Sequence, residues 1–534
     1  MKFTMKMKKY SLMFGAALMF MSLGAQGKKP ATDWHYSAPS KKNMGISLYE
    51  AYQTPAAQNK PSTIVVAVID GGTDVNHEDL KDVIWVNSDE IAGNGIDDDK
   101  NGYVDDVNGW NFIGGADGGM VGADNLESVR VYKKLSEKFE NLDAATIDQN
   151  SADYLLYQKL KTDVTKEQKR WGGMSKQLNM MVDALNKIQT ATGKEDPSAS
   201  DLEAVNIEDP LAGAIAKSLA SGMKKSKNGE SFISLKNELQ DQLNHVESRA
   251  NFHYNTEFDS RKIVGDDYSN SSQRVYGNNN VIGPDASHGT HVAGIIAATR
   301  GNNVGFDGIA DNAKIMVVRV VPDGDERDKD VANGIRYAVD NGAKIINMSF
   351  GKSYSWDKNI VDSAVAYAES KGVLLVHAAG NSGQDNDVTS NFPNDSLWGG
   401  KRFAANWIEI GASQPERKKL ATDFSNYGKN NVDLFAPGQD IYSTIPDNKY
   451  EYFDGTSMAA PVVSGVAALV WSRYPNLTAV QMKEILMKSS VKLDKKVIRP
   501  HTKKEKVKFS ELCVSSGLVN AKAALEMAAS YSAK

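Results

Sequence analysis

Four short apolar runs without polar alternation stand out along the chain. They are STIVVAVID (62–70), AKIMVVRVV (313–321), AKIINMSF (343–350) and GVLLVHAAG (372–380). Strands that are buried on both faces have this composition, and such strands are usually parallel. Helical periodicity fills 330–341 and 357–371, between the later runs. The pattern predicts a doubly wound α/β fold with a mostly parallel sheet and helices on both faces, and an active site at the carboxyl ends of the strands.

Residues 123–251 have a different pattern, with no strand-like run. Apolar side chains recur there at helical spacing, at Tyr132, Leu135, Phe139 and Leu142 and again at Leu178, Met181, Leu185 and Ile188. Each set forms one stripe on an amphipathic helix, which predicts an α-helical insertion. The domain organisation expected from these patterns is an N-terminal segment at 26–60, an α/β domain at 61–122 and 252–534, and the helical insertion at 123–251.

The N-terminus has the features of an export signal. Four lysines precede a short apolar run and then small residues, which predicts a signal peptide at 1–25 that is cleaved near Ala25. The apolar run is short for a membrane span, so we expect no transmembrane anchor after cleavage and a periplasmic or extracellular protein. The net charge of −5 gives no support for nucleic-acid binding. Cys513 is the only cysteine, which excludes an internal disulfide.

The segment YFDGTSMAAPVVSGVAALV (452–470) combines a buried helix with an unusual beginning. Ser457 lies near the predicted start of the helix, and Pro461 follows one turn later. Proline is best tolerated in an opening turn, where the helix N–H groups point outward and favour negative charge. A hydroxyl at this place is either an N-cap or a nucleophile beside a site for an oxyanion. The segment alone does not decide between these alternatives.

Two other segments supply an acid and a base. Asp70 ends a buried strand, where a carboxylate is costly unless it accepts hydrogen bonds, although an Asp that starts a turn is a common alternative. His288 opens the apolar helix of DASHGTHVAGIIAA, and His291 follows three residues later. The HExxH pattern of zinc proteases is absent. We therefore expect a functional role for His288 and a structural one for His291.

These segments resemble those of a known family. VIDGG, HGTHVAG and GTSMAAP are similar to the three signatures of the subtilases, the subtilisin-like serine peptidases, and appear in the subtilisin order Asp, His, Ser. HAAGNSG is a fourth match, and the resemblance covers about 44–115 and 255–530. It implies a serine endopeptidase that acts on polypeptides. Its implied roles are Ser457 as nucleophile, His288 as general base, Asp70 as the group that orients His288, and Asn381 as an oxyanion donor.

The same resemblance implies the substrate contacts. Two short segments would flank the S1 pocket, one with Ser349, Phe350 and Gly351 and the other with Ala378, Ala379 and Gly380. Such segments bind a peptide by strand addition, which reads the backbone more than the side chains.

Calcium is the implied cofactor. Asp79 and the loop 300–305, with Asn302 as a side-chain ligand, resemble the calcium loop of the family. Separately, DDDKNGYVDD places Asp97, Asp99, Asn101 and Asp105 at positions 1, 3, 5 and 9 of an EF-hand-like loop. Asn108 stands where that loop has its Glu, and an acidic surface turn is the alternative.

The rival hypothesis is a catalytically silent subtilase-like scaffold. Such a protein would bind peptides, or would bind a partner protein through the helical insertion. The presence of Asp70, His288, Ser457 and Asn381 argues against a silent scaffold, because inactive members of a family that resembles this chain commonly lose one of these residues.

Overall fold

The computed structural model describes residues 29–143, 146–225 and 231–532. The chain forms two units, a smaller one at Asp143–Asn255 and a larger one at Pro30–Leu142 and Thr256–Lys534. The predicted signal peptide at 1–25 lies outside the described residues. In the described ranges, no helix combines the length and the apolar character of a membrane span.

The larger unit contains fifteen strands among its described residues. In chain order they are β1 (Ile64–Asp70), β2 (Gly109–Asn111), β3 (Ala313–Arg319), β4 (Ile345–Met348), β5 (Leu374–Ala378), β6 (Ser396–Leu397), β7 (Arg402–Phe403), β8 (Trp407–Ser413), β9 (Leu434–Pro437), β10 (Ile441–Ile445), β11 (Lys449–Phe453), β12 (Val491–Lys492), β13 (Lys496–Ile498), β14 (Lys506–Lys508) and β15 (Gly517–Leu518). Nine of them form one sheet in the order β12-β15-β9-β8-β5-β4-β1-β3-β2.

This sheet confirms the predicted mostly parallel α/β fold. Every neighbouring pair in it is parallel except β12 with β15. Strand β1 pairs with both β3 and β4, so that Asp70 lies beside Arg319 and Ile69 beside Met348. Successive side chains of a strand point to opposite faces. Val66 and Val68 accordingly enter one hydrophobic core, and Ala67 and Ile69 enter another.

Helices cover both faces of the sheet. Those of the larger unit are α1 (Leu48–Tyr52), α2 (Glu127–Phe139), α7 (Arg261–Val264), α8 (Ser287–Ala297), α9 (Asp328–Asp340), α10 (Lys358–Ser370), α11 (Thr456–Arg473), α12 (Ala479–Ser489) and α13 (Ala521–Ser532), and those of the smaller unit are α3 (Ala152–Thr192), α4 (Ala199–Ala204), α5 (Pro210–Lys225) and α6 (Phe232–Ser248). Helices α8 and α11 to α13 pack in the first core, whereas α9 and α10 pack in the second.

The smaller unit is helical and has its own hydrophobic core. Leu185 and Ile188 of the predicted stripe on α3 are buried in it, and Leu178 and Met181 pack against it. Their partners come from α4, α5 and α6, among them Leu202, Ile215, Ala216, Phe232 and Leu239. A helical insertion with one apolar stripe on this helix is thus observed.

Helix α2 belongs to the larger unit, although the expected insertion began at residue 123. The physical reason is a buried network of charges. Glu127 bonds to Lys352 at 3.1 Å, and the Arg130 guanidinium donates to the main-chain oxygens of Asp325 and Glu326. These charges would be costly to bury without one another, so α2 is held by the larger unit.

Two deletions test this division. Replacing 143–255 by a short Gly/Ser linker is expected to leave the larger unit folded, because its charge network stays intact and loop closure depends only weakly on loop length. Replacing 123–251 removes α2 and Asp124 as well, so that Lys352 loses Glu127 and Arg327 loses Asp124, which we expect to cost about 3–5 kcal/mol more. Urea unfolding of the two proteins measures the difference. Equal stability would contradict the assignment of α2 to the larger unit.

Candidate active site

Asp70 and His288 form a direct pair at the carboxyl end of β1. The Nδ1 atom of His288 lies 2.8 Å from Oδ1 and 2.9 Å from Oδ2 of Asp70. Asp70 is buried, whereas 43% of the His288 side chain is exposed. Burial lowers the pKa of His288, but the charge and hydrogen bond of Asp70 outweigh it, and the net pKa lies above the ordinary value. The pair leaves the other ring nitrogen of His288 for a second partner.

Ser457 is fixed at the carboxyl end of β4, the strand next to β1. Its hydroxyl donates to the main-chain oxygen of Ser349 at 3.0 Å, and the Ser349 hydroxyl donates back to the main-chain oxygen of Ser457 at 2.9 Å. Ser349 directly follows β4, and Asp70 is the last residue of β1. Because β1 and β4 are paired in parallel, both residues lie at the same edge of the sheet. Adjacent strands are about 4.8 Å apart, so the serine and the Asp70–His288 pair stand over neighbouring strand ends.

Pro461 explains why the main-chain oxygen of Ser457 is free to accept that bond. Helix α11 begins at Thr456, and Pro461 lies inside it. The sequence predicts this proline in the opening turn of the helix, so the prediction of its position is wrong. In a helix the oxygen of Ser457 would accept from the N–H four residues later, and proline has none. The Ser349 hydroxyl takes the place of that missing donor.

The side chain of Asn381 is held by Thr456 at the start of α11. Its Oδ1 accepts from the Thr456 N–H at 2.8 Å and from the Thr456 hydroxyl at 3.0 Å, which turns its NH₂ group the other way. A Cβ atom placed on Gly455 would lie 3.6 Å from Asn381 Nδ2 and 3.5 Å from Ser457 N. Both donors therefore border one small space that Gly455 leaves open. Donors held in this manner stabilise developing negative charge.

The segment Ala378–Gly380 is held by side-chain amides. The main-chain oxygen of Ala379 accepts from Asn386, Asn391 and Asn426 at 2.9–3.1 Å. Gly380 has φ +106°, and a Cβ there would lie 2.5 Å from Asn426 Nδ2, so glycine is required. The other predicted segment, Ser349–Gly351, follows β4, which pairs directly with β5. The two segments thus extend from neighbouring strands at the same end of the sheet.

His291 has the surroundings of a packed ring. It is fully buried, its Nε2 lies 3.1 Å from the main-chain oxygen of Glu451, and its ring stacks on Phe453 with centroids 4.3 Å apart. Burial lowers its pKa to about 3. A neutral ring in this position has a structural role, as expected from the sequence.

Asp79 and Asn302, the first pair of predicted calcium ligands, are in contact. Asn302 Nδ2 donates to Asp79 Oδ1 at 2.7 Å, and burial raises the pKa of Asp79. Asn302 Oδ1 accepts from the Val304 N–H at 3.0 Å. A cation held by both residues requires the Asn302 amide to turn over, since an oxygen and not an NH₂ group must face the ion.

In the acidic loop the carboxylates that converge are Glu90, Asp99 and Asp106, whose ligand atoms lie within 4.8 Å of one another. Of the predicted set, Asp99 belongs to this group, and Asn101 donates to Asp99 and Asp106. The Asp97 and Asp105 carboxylates instead accept backbone N–H groups of the loop. Carboxylate oxygens are ligands that Ca²⁺ prefers, and calcium at either loop stays a prediction.

Some residues of the site have no signal in the sequence. Glu90 and Asp106 fall outside the spacing of an EF-hand loop, so only the fold brings them to Asp99. Asn391 and Asn426 lie 12 and 47 residues along the chain from the carbonyl they bind, with no pattern that links them to it. The role of Ser349 toward Ser457 had one available signal, which is the proline four residues after the serine.

The sequence comparisons agree with this geometry. Residues 62–511 match the subtilase family. Since this match covers most of the chain, the protein belongs to the subtilase family.

Several curated proteases are similar to parts of the chain. The thermophilic serine proteinase of Bacillus sp. (strain AK1) is 43% identical over 191 residues, which are 36% of this chain and 44% of that protein. Thermitase of Thermoactinomyces vulgaris is 40% identical over 215 residues, 40% of this chain and 68% of that protein. The cell wall-associated protease of Bacillus subtilis (strain 168) is 38% identical over 215 residues, 40% of this chain. The matches span 22% and 44% of the cell wall-associated and strain AK1 proteases.

A double-mutant cycle tests the bond between Ser349 and Ser457. Ser349→Ala leaves the Ser457 oxygen without a donor, which we expect to cost about 1–3 kcal/mol. Pro461→Ala restores an N–H four residues after Ser457, so the same loss should be smaller in that background. Urea unfolding of the four proteins gives the coupling free energy. The assignment is wrong if Ser349→Ala costs the same in both backgrounds.

Calcium binding is tested by melting temperature. A cation that binds only the folded state raises the melting temperature, and a chelator reverses the effect. Asp79→Asn and Asp99→Asn should each weaken one site, so the variant that loses its response to calcium identifies the site that binds. Identical melting curves with calcium and with excess chelator would exclude both sites.

Proposed function

We propose that this protein is an exported serine endopeptidase that hydrolyses peptide bonds through an acyl-enzyme. The observation that supports it most directly is the Asp70–His288 pair beside a serine at the start of a helix. Membership of the subtilase family and the serine proteases among its relatives support the same reaction. Polypeptides are the proposed substrates.

In the first step Ser457 attacks the scissile carbonyl. Its hydroxyl leaves the Ser349 oxygen and turns to His288, which takes the proton as the C–O bond forms. His288 then gives this proton to the leaving amine, and the C–N bond breaks. Asp70 holds Nδ1–H of the ring and stabilises the imidazolium. Water repeats the sequence on the ester and restores Ser457.

The negative charge of each tetrahedral intermediate needs donors that are already in place. Asn381 Nδ2 and the Ser457 N–H supply them, because Thr456 fixes the amide before substrate binds. Preorganised donors of this kind lower the barrier without reorganisation at the moment of reaction.

Three further features belong to the proposal. Export is supported by the four lysines and the apolar run at the N-terminus. Calcium would be structural, held at the acidic loop by Glu90, Asp99 and Asp106 or by Asp79 with Asn302. A protein partner for the helices of the smaller unit stays a prediction.

A fluorophosphonate probe tests the nucleophile. The wild-type protein should be labelled covalently, and Ser457→Ala should lose both the label and peptide hydrolysis.

Asn381→Ala should lower kcat by about 10²–10³-fold with little change in KM, because the amide meets full negative charge only in the transition state. Intact turnover in Ser457→Ala would refute the mechanism, as would an effect of Asn381→Ala on KM alone.

The pH profile tests the base. His288 acts as a base only when neutral, and its folded pKa lies above the ordinary 6.5. The value of kcat/KM should therefore rise with pH, with a midpoint above 6.5. Asp70→Asn removes the charge that raises this pKa while burial still lowers it, so the midpoint of its residual activity should move to lower pH. An unchanged midpoint would show that another group titrates.

A further inference from the structure

The sheet leaves a gap one strand wide beyond Asp70. Strand β1 lies between β4 and β3 and ends at Asp70, whereas the chain continues past β4 at 349–352 and past β3 at 320–326. The N–H groups of Val320 and Val321 still bond to the Asp70 oxygen. Beyond that point the two continuing segments are separated by two strand spacings, about 9.5 Å. That width accommodates one extended peptide.

Both segments have backbone groups to offer such a peptide. In the described part of the chain, the N–H and C=O groups of Gly324 and Gly351 form no hydrogen bond. Unpaired backbone groups of this kind are the basis of strand addition. Gly324 has φ +141°, and a Cβ there would lie 2.3 Å from Asp124 O, so no other residue fits.

The direction of a bound peptide follows from the burial of β4. A peptide that starts beside Ser349 cannot run back along Ile345–Met348, because β1 and β5 already pair with both edges of that strand. It must extend along Phe350 and Gly351 toward Lys352. Since Ser349–Gly351 flank the S1 pocket under the proposed function, these three residues face the three substrate residues before the scissile bond.

Lys352 fills the gap at the next position. Its backbone pairs with Phe392 on one side. Its side chain crosses to the opposite segment, where Nζ donates to the Glu326 main-chain oxygen at 2.7 Å. The same Nζ lies 2.7 Å from Asp328 and 3.1 Å from Glu127. All three ammonium protons are thereby used, and only 1% of the side chain is exposed.

Helix α2 reinforces this closure. Arg130 Nη2 donates to the main-chain oxygens of Asp325 and Glu326 at 3.0 and 3.1 Å, and the Glu127 N–H donates to the Asp325 carboxylate at 2.7 Å. The segment past β3 is therefore fixed from the side of α2 and from the side of Lys352. Removing Lys352 alone would leave Asp328 as a buried charge without its cation, which is costly, whereas Glu127 keeps its ion pair with Arg130.

We propose that Lys352 closes the part of the cleft that binds substrate residues on the N-terminal side of the scissile bond. Three residues before that bond are then bound by the enzyme, and a fourth substrate residue makes no additional contact. The inference rests on the proposed function. Under this proposal, Lys352, with Glu127 and Asp328, determines how many substrate residues before the scissile bond the enzyme binds.

A series of N-acetylated peptides with a chromogenic leaving group tests this. The residue next to the leaving group is held constant, and one to five residues precede the bond. For the wild-type protein, kcat/KM should rise up to the third residue and change less than about twofold with the fourth. If the cleft bound a fourth residue, that residue should raise kcat/KM about three- to tenfold, which corresponds to the net free energy of one or two hydrogen bonds.

Two variants separate the bulk of Lys352 from its charge. Both carry Asp328→Asn, which removes the buried negative charge that Lys352 neutralises, and they differ only in Lys352→Ala or Lys352→Met. The readout is the ratio of kcat/KM for four-residue and three-residue peptides within each protein. Alanine opens the gap and should raise this ratio about three- to tenfold, whereas methionine keeps it filled and should leave the ratio near one.

Two results would overturn the proposal. One is a wild-type ratio of about three or more for the fourth residue, a result that does not depend on the folding of any variant. The other is an equal ratio in the alanine and methionine variants. Failure to hydrolyse any peptide of the series would instead contradict the proposed function, so the two ideas fail in different ways.

Discussion

The parallel pairing of β1 with β3 and β4 is the constraint on which the site depends. Parallel strands end at one edge of a sheet, and this edge brings Asp70 beside Ser349 although they are far apart in sequence. His288 is held by the first and Ser457 by the second. Because β1 stops while its neighbours continue, the same pairing also creates the space in which a peptide fits.

Buried charge is the second theme, and desolvation explains its organisation. Lys352, Glu127, Asp328 and Arg130 are almost inaccessible, so each must be fully bonded to justify its burial. Such a cluster has few alternative arrangements, because the loss of one charged side chain leaves a neighbouring buried charge without a partner. The result is a rigid end to the cleft, built from segments that lie before and after the helical unit in sequence.

The sequence predicted the fold because runs such as 62–70 and 343–350 lack the polar alternation of exposed strands, and β1 and β4 confirm it. It also indicated Asp70, His288, Ser457 and Asn381 through signatures with specific neighbours. It did not reveal Lys352, whose role depends on a gap between two distant segments, or Glu90 and Asp106, which only tertiary structure brings to Asp99. The sequence predicts Pro461 in the opening turn, whereas it lies inside the helix and removes the N–H that the Ser457 carbonyl would otherwise accept.

The register of β1 has a consequence for folding. Ile64 pairs with Ala313, so β1, an interior strand of the sheet, pairs with a segment that lies beyond the whole helical unit. Contacts this distant in sequence slow folding, and the loop must close before they contribute. Until then an apolar strand without a partner is exposed to association with other chains. Folding of residues 143–255 ahead of the sheet would shorten the effective loop and thereby reduce the time spent in that vulnerable state.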